Sequence, residues 1–191
     1  MSRDRDRWED GKRLTAGIVP LVNGKVVLIS NRKDSAKWGL PKGGWEDWEL
    51  NAADAAAREG FEEAGVRGIS GASLESAEVT SKNGGHAVKI HWFVCYVTEL
   101  ADNWPEDQQR NRIVVEIKEA IGMVHRPEHK RALEEVLDRS LDQIRVTCRG
   151  KEQGSQWLEP TLAHFLVATM VVAVTVCFTS FPGVIAVRSR K

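Results

Sequence analysis

Residues Trp38 to Val66, WGLPKGGWEDWELNAADAAAREGFEEAGV, constrain the fold more tightly than any other stretch. A turn carrying Pro41, Gly43 and Gly44 passes through an acidic, aromatic segment into an alanine-rich run that predicts a helix. Asn51 is placed to cap that helix, and Asp54 favours its first turn electrostatically. Ala52, Ala53, Ala55, Ala56 and Ala57 permit close packing on a sheet, and Gly65 fits a left-handed terminal cap. Residues three and four apart share a helix face, so Glu59, Glu62 and Glu63 project to one side. Three carboxylates this close repel one another and weaken the helix unless positive charge sits among them. Arg58 lies one turn from Glu62 and can neutralise one carboxylate. A hard divalent cation such as Mg²⁺ suits the other two, because it takes oxygen ligands and keeps positions open for phosphate.

Gly44, Arg58-Glu59, Glu62-Glu63 and Gly65-Val66 together resemble the Nudix box, whose core reads R-E-x-x-E-E-x-G. The longer string LPKGGWED…REGFEEAGV is similar to one branch, the diphosphoinositol polyphosphate and diadenosine polyphosphate phosphohydrolases. The loop departs from that pattern. A glutamate is expected eight positions before the Arg-Glu pair, and counting back reaches Leu50, whereas counting forward from Gly43 reaches Glu49. One extra residue is therefore expected in the loop. The branch also carries Trp where this chain has Val114.

The resemblance spans about residues 12–140 and implies an α/β chain with the Nudix fold, an α/β/α sandwich around a mixed curved sheet. It implies metal-dependent hydrolysis of a phosphoanhydride bond in a small-molecule polyphosphate. Glu59 and Glu63, with the Gly43 carbonyl, are the implied ligands of Mg²⁺ or Mn²⁺. Glu62 lies nearby, oriented by Arg58, and Glu63 is the first candidate for general base. Arg13, Lys42, Gly44, Arg110 and Arg112 are the candidate substrate contacts. The last two follow Trp104-Pro105-Glu106, as in the branch, and arginine's planar fork suits phosphate oxygen. Diphosphoinositol or diadenosine polyphosphates are the expected substrates. ADP-ribose or NADH is the alternative, and a slow Nudix-fold binding module is the alternative of a different class.

Elsewhere the chain predicts a simple order. Residues 1–11, alternating Arg and Asp, read as a flexible lead-in. RLTAGIVPLV and VVLIS read as strands joined by the hairpin signal Asn23-Gly24. Gly68 and Gly71 break the pattern before a short strand near Val79, and Asn83-Gly84-Gly85 signals a second hairpin leading into the long strand 86–98. A helix from Pro127, with Ala132, Leu133, Val136 and Leu141 on its apolar stripe, closes the domain near Arg145. His125 and His129 read as surface residues, with a place in the cleft lining as the alternative.

Lys+Arg and Asp+Glu both total 27, so no global charge marks a nucleic-acid binder. Cys95, Cys148 and Cys177 lack metal-ligand spacing and read as reduced thiols. The polar N-terminus has no apolar signal core, which points to a cytoplasmic or nuclear protein. After a polar linker (146–160), residues 161–191 turn apolar, and 162–187 contain no Asp, Glu, Lys or Arg. That span is long enough to cross a bilayer, which makes it a candidate tail anchor. Pro182-Gly183 interrupts it, and Arg188, Arg190 and Lys191 follow it, against a simple positive-inside arrangement.

Overall fold

The computed structural model describes residues 5–80 and 85–152. Its elements are β1 (Trp8–Glu9), β2 (Lys12–Val22), β3 (Lys25–Ser30), β4 (Trp38–Gly39), β5 (Lys42–Gly44), α1 (Ala52–Ala64), β6 (Val66–Ser73), β7 (Ala77–Thr80), β8 (Ala87–Leu100), β9 (Arg112–Glu116), α2 (Ile117–Met123) and α3 (Pro127–Glu152). The strands form one mixed sheet whose main path runs β4-β3-β2-β8-β6. β2 is its centre. It pairs parallel with β8 over Arg13↔Val88 to Leu21↔Tyr96, and antiparallel with β1, β3 and β5.

Neighbouring side chains of a strand point to opposite faces, and both faces of this sheet are covered. Val19, Leu28 and Trp92 belong to a core shared with Ala120 of α2 and Leu133 and Val136 of α3. Ile18 and Val27, one residue before Val19 and Leu28, belong to a second core shared with Ala52, Ala55 and Ala56 of α1. Strands buried on two faces read as continuous apolar runs, which is why RLTAGIVPLV and VVLIS look as they do. The result is the expected α/β/α arrangement around a mixed sheet.

Several expectations are corrected. Described residues 5–11 are not a loose lead-in. Trp8 and Glu9 pair with Arg13 and Lys12 across a turn at Asp10-Gly11, both with positive φ. The Arg7 guanidinium donates to the carbonyls of Asp47 and Glu49 and lies 4.7 Å over the Trp45 ring. The strand itself is short, Trp8–Glu9, and follows the alternating Arg and Asp rather than containing them. The Asp-Gly pair was the overlooked turn signal. Gly68 and Gly71 do not end a strand either. They lie inside β6, whose register against β8 shifts between Arg67 and Gly68 and between Ser70 and Ser73.

α3 continues to Glu152, into the stretch read as a polar linker. The second hairpin turn at Asn83-Gly84 and the apolar tail 161–191 lie outside the described residues. Among the described residues no helix is long and apolar enough to cross a membrane.

Candidate active site

α1 is fixed at both ends by its own sequence. The Asn51 side chain accepts a hydrogen bond from the Asp54 backbone N–H at 3.0 Å. Gly65 takes the left-handed conformation (φ 62°) and donates to the carbonyls of Gly60 and Phe61. With its alanine face against the sheet, α1 turns Glu59 and Glu63 toward the turn around β5, and both are buried. The Lys42 backbone N–H donates to Glu63 Oε2 at 2.9 Å. The Glu59 carboxyl occupies the space beside Gly43 that any Cβ there would fill, so only glycine allows this approach.

Arg58 ties the constellation together. It donates to Glu49 Oε1 (2.8 Å), Glu59 Oε1 (2.7 Å), Glu62 Oε2 (3.1 Å) and the Gly44 carbonyl (2.7 Å). Burial opposes its charge, but the bond to Glu49 and the field of Glu59 prevail and raise its pKa further. Glu49 is 3% exposed and also accepts from the Glu46 N–H at 2.8 Å. The extra loop residue is thus accommodated at Leu50, which is 89% exposed, and Glu49 fills the inward position. Counting forward from Gly43 was the sequence signal for it.

Burial pushes the Glu59 pKa up to about 7, against the pull of Arg58, and Glu63 adds to the rise. Burial also raises Glu63, opposed by Arg110 and by the Lys42 N–H. Two buried carboxylates held at this cost are short of positive charge. Their hard oxygens, beside a bare glycine backbone, suit a divalent cation in chemistry. Among the described residues no three acidic, His or Cys groups stand arranged to hold an ion. Each carboxylate is engaged by an arginine, Glu59 by Arg58 and Glu63 by Arg110.

The candidate substrate contacts divide into two groups. Arg13, Lys42, Gly44 and Arg110 line a cleft of about 1170 Å³ together with Glu59, Glu62 and Glu63. Arg13 grips Asp6 with two bonds of 2.7 Å. Arg110 bonds Glu63 and Glu106 and donates to the Ser30 carbonyl at 3.1 Å. Arg32 donates to Glu106 at 2.9 Å. Burial, then Arg126, lowers the Lys42 pKa.

Arg112 is not among the cleft residues. It donates to the carbonyls of Ala64 (2.8 Å) and Ala101 (3.1 Å) and stacks 4.4 Å over Trp104, closing the C-terminal end of α1. The structure thus places Arg112, expected at the phosphates, beside the end of α1 instead. Val114 is exposed on β9, paired with Val27.

His129 is also corrected. It is 4% exposed, packs edge-on against Trp92, and its Nδ1 accepts the Leu40 N–H at 2.9 Å. That bond steadies the turn ahead of Lys42. Its position three and four residues before Ala132 and Leu133 placed it on the apolar stripe, a signal the sequence did contain. His125 is exposed, as read.

The pattern described as the NUDIX domain matches residues 11–139. Nudix hydrolase 16, mitochondrial, of Arabidopsis thaliana is 39% identical over 152 residues, covering 70% of this chain and 84% of that protein. Diphosphoinositol polyphosphate phosphohydrolase 3-alpha of Mus musculus is 34% identical over 116 residues, covering 59% of this chain and 68% of that protein. In fold, the NUDIX hydrolase from Nitrosomonas europaea superposes with a TM-score of 0.59 at 19% identity, covering 66% of this chain and 89% of that one. The cytoplasmic and nuclear placement expected from sequence finds no support in these relatives, the Arabidopsis protein being named as mitochondrial.

Proposed function

Since the chain belongs to the Nudix hydrolases, enzymes that cleave phosphoanhydride bonds in diphosphate-containing small molecules, we propose that its substrate is a diphosphoinositol or diadenosine polyphosphate. The observation that carries this reading is the buried Glu59–Glu63 pair against Gly43, in a cleft that several basic side chains also line. Arg32, Lys33, Lys37 and Arg126 line the cleft beside Arg13 and Lys42. That much cationic lining suits a ligand with several phosphates more than one with a single diphosphate. The mouse relative is named for a diphosphoinositol substrate, in agreement with the GGWED and WPE strings.

Nudix hydrolases generally use a divalent ion such as Mg²⁺. Here Glu59 and Glu63, with the backbone at Gly43, would hold Mg²⁺ or Mn²⁺, which offsets phosphate charge and acidifies a bound water. Arg58 bonds both Glu59 and Glu62 and so positions them. Glu63 is the first candidate to take the proton from the attacking water, and the Lys42 N–H holds its carboxylate in place. Lys42 and Arg110 supply charge at the phosphates as negative charge develops on the leaving oxygen. The complete carboxylate set speaks against a slow binding module.

The test is Mg²⁺-dependent turnover by the full chain, wild type against Glu63→Gln. The panel holds a diphosphoinositol polyphosphate, diadenosine polyphosphates, ADP-ribose and NADH. Turnover of either polyphosphate class, lost in the variant, is the expected result. Preference for ADP-ribose or NADH overturns the substrate reading. Binding without turnover of any compound overturns the catalytic one.

A further inference from the structure

We infer that Arg110 is an internal competitor for the metal site, and that loading the site moves its guanidinium from Glu63 to the substrate phosphates. The inference rests on the reading of Glu63 as a ligand. It begins with one side chain serving three acceptors, namely Glu63, Glu106 and the Ser30 carbonyl. Arg110 and Glu63 are both almost wholly buried, with side chains 10% and 11% exposed. Glu63 Oε2 already accepts the Lys42 N–H, so an ion approaching Glu63 meets the Arg110 guanidinium at Oε1, and the two cations compete for one buried carboxylate charge.

Losing Glu63 does not set Arg110 adrift. Glu106 is itself fixed, because its backbone N–H donates to the Glu62 carbonyl at 3.1 Å and its carboxylate accepts from Arg32. The guanidinium therefore pivots on Glu106 and Ser30 while keeping two of its three partners. It then carries an unspent donor beside the site, within the cleft where Arg13 and Lys42 also lie. A phosphate oxygen is the acceptor that donor lacks. Without substrate, displacement of Arg110 costs metal affinity; with substrate, the same guanidinium is bonded again. The protein is thereby built to hold metal weakly until an anionic substrate arrives, so that metal and substrate binding reinforce each other.

The test is calorimetric titration of the full-length protein with Mn²⁺ in the absence of any phosphate. Arg110→Gln is expected to bind Mn²⁺ roughly tenfold more tightly than wild type, the order expected for removing one charge-assisted competitor. Arg126→Gln removes a cation of the same cleft that makes no bond to Glu63, and is expected to gain much less. An unchanged or weaker affinity in Arg110→Gln overturns the inference, as does an equal gain in Arg126→Gln, which would make the effect one of general charge. A crystal structure of the wild type with Mn²⁺ checks the same point without a variant. Arg110 is expected on Glu106 and Ser30 but off Glu63, and finding it still on Glu63 overturns the proposal. Failure of wild type and variants alike to bind Mn²⁺ would instead overturn the reading of Glu63 as a ligand, and this inference with it.

Discussion

Arg58 shows how much of the site depends on single side chains. Its partner Glu49 has a side chain only 1% exposed, so removing the guanidinium leaves a carboxylate buried without compensation. Arg58→Ala is expected to lower stability by about 3–5 kcal/mol in urea unfolding, the usual cost of breaking a buried pair from one side. Lysine should restore little, because it cannot reach Glu49, Glu59 and the Gly44 carbonyl with one planar fork. Gly43 is equally intolerant for a different reason. A methyl group there would overlap the Glu59 carboxyl, and Gly43→Ala is expected to reduce kcat about 100-fold by displacing it. Steady-state kinetics beside a thermal melt separates that effect from simple unfolding.

At the scale of elements, α1 was legible because every local signal agreed. Asn51 begins it, the alanines pack it and Gly65 ends it, where the sequence placed each. The end of α1 also shows where legibility stopped. Arg110 and Arg112 are indistinguishable in the string RNR, yet one precedes β9 and enters the cleft while the other begins β9 and caps α1. Which way each side chain turns depends on where strand pairing starts, and that is set by β3, more than eighty residues earlier in the chain. Arg112→Ala is therefore expected to cost about 1.5–3 kcal/mol of stability, the range for a charge-assisted hydrogen bond. Mn²⁺ affinity measured by calorimetry should stay unchanged. A large loss of metal or substrate affinity without loss of stability would return Arg112 to the cleft. Glu49 was half legible, since the extra residue made the count ambiguous and only packing decides that Leu50 faces solvent. β1 was missed because two residues, Trp8 and Glu9, are too short a pattern to read until their partner strand is known.

For the molecule as a whole, His129 couples stability to pH through the contact between α3 and the turn at Leu40. Burial, then Lys42, Arg126 and His125, hold its pKa well below 6.5. The folded state therefore keeps His129 neutral while the unfolded chain takes up a proton near pH 6.5. Its contribution is fully present above that pH and is lost as pH falls toward the folded pKa. Glu59 works in the opposite sense. Its pKa is raised to about 7 from 4.5, so its contribution is present below 4.5 and lost as pH rises through about 7. The informative quantity is thus the difference between wild type and His129→Asn, whose side chain can still accept from Leu40. Melting temperatures in metal-free buffer are expected to converge as pH falls from about 7 to about 5. Curves that stay parallel would show that His129 is not a source of the acid sensitivity.

The central strand also dictates the order in which a ribosome can deliver this protein. β2 leaves the exit tunnel early, and β3 and β5 follow soon after to take their places along it. Its parallel neighbour β8 is encoded some seventy residues later, since Arg13 must wait for Val88 and Leu21 for Tyr96. During that interval a nascent chain carries an open, strongly apolar strand border, the kind of surface that recruits other chains. Products of premature termination before residue 87 inherit that border permanently and are expected to be insoluble.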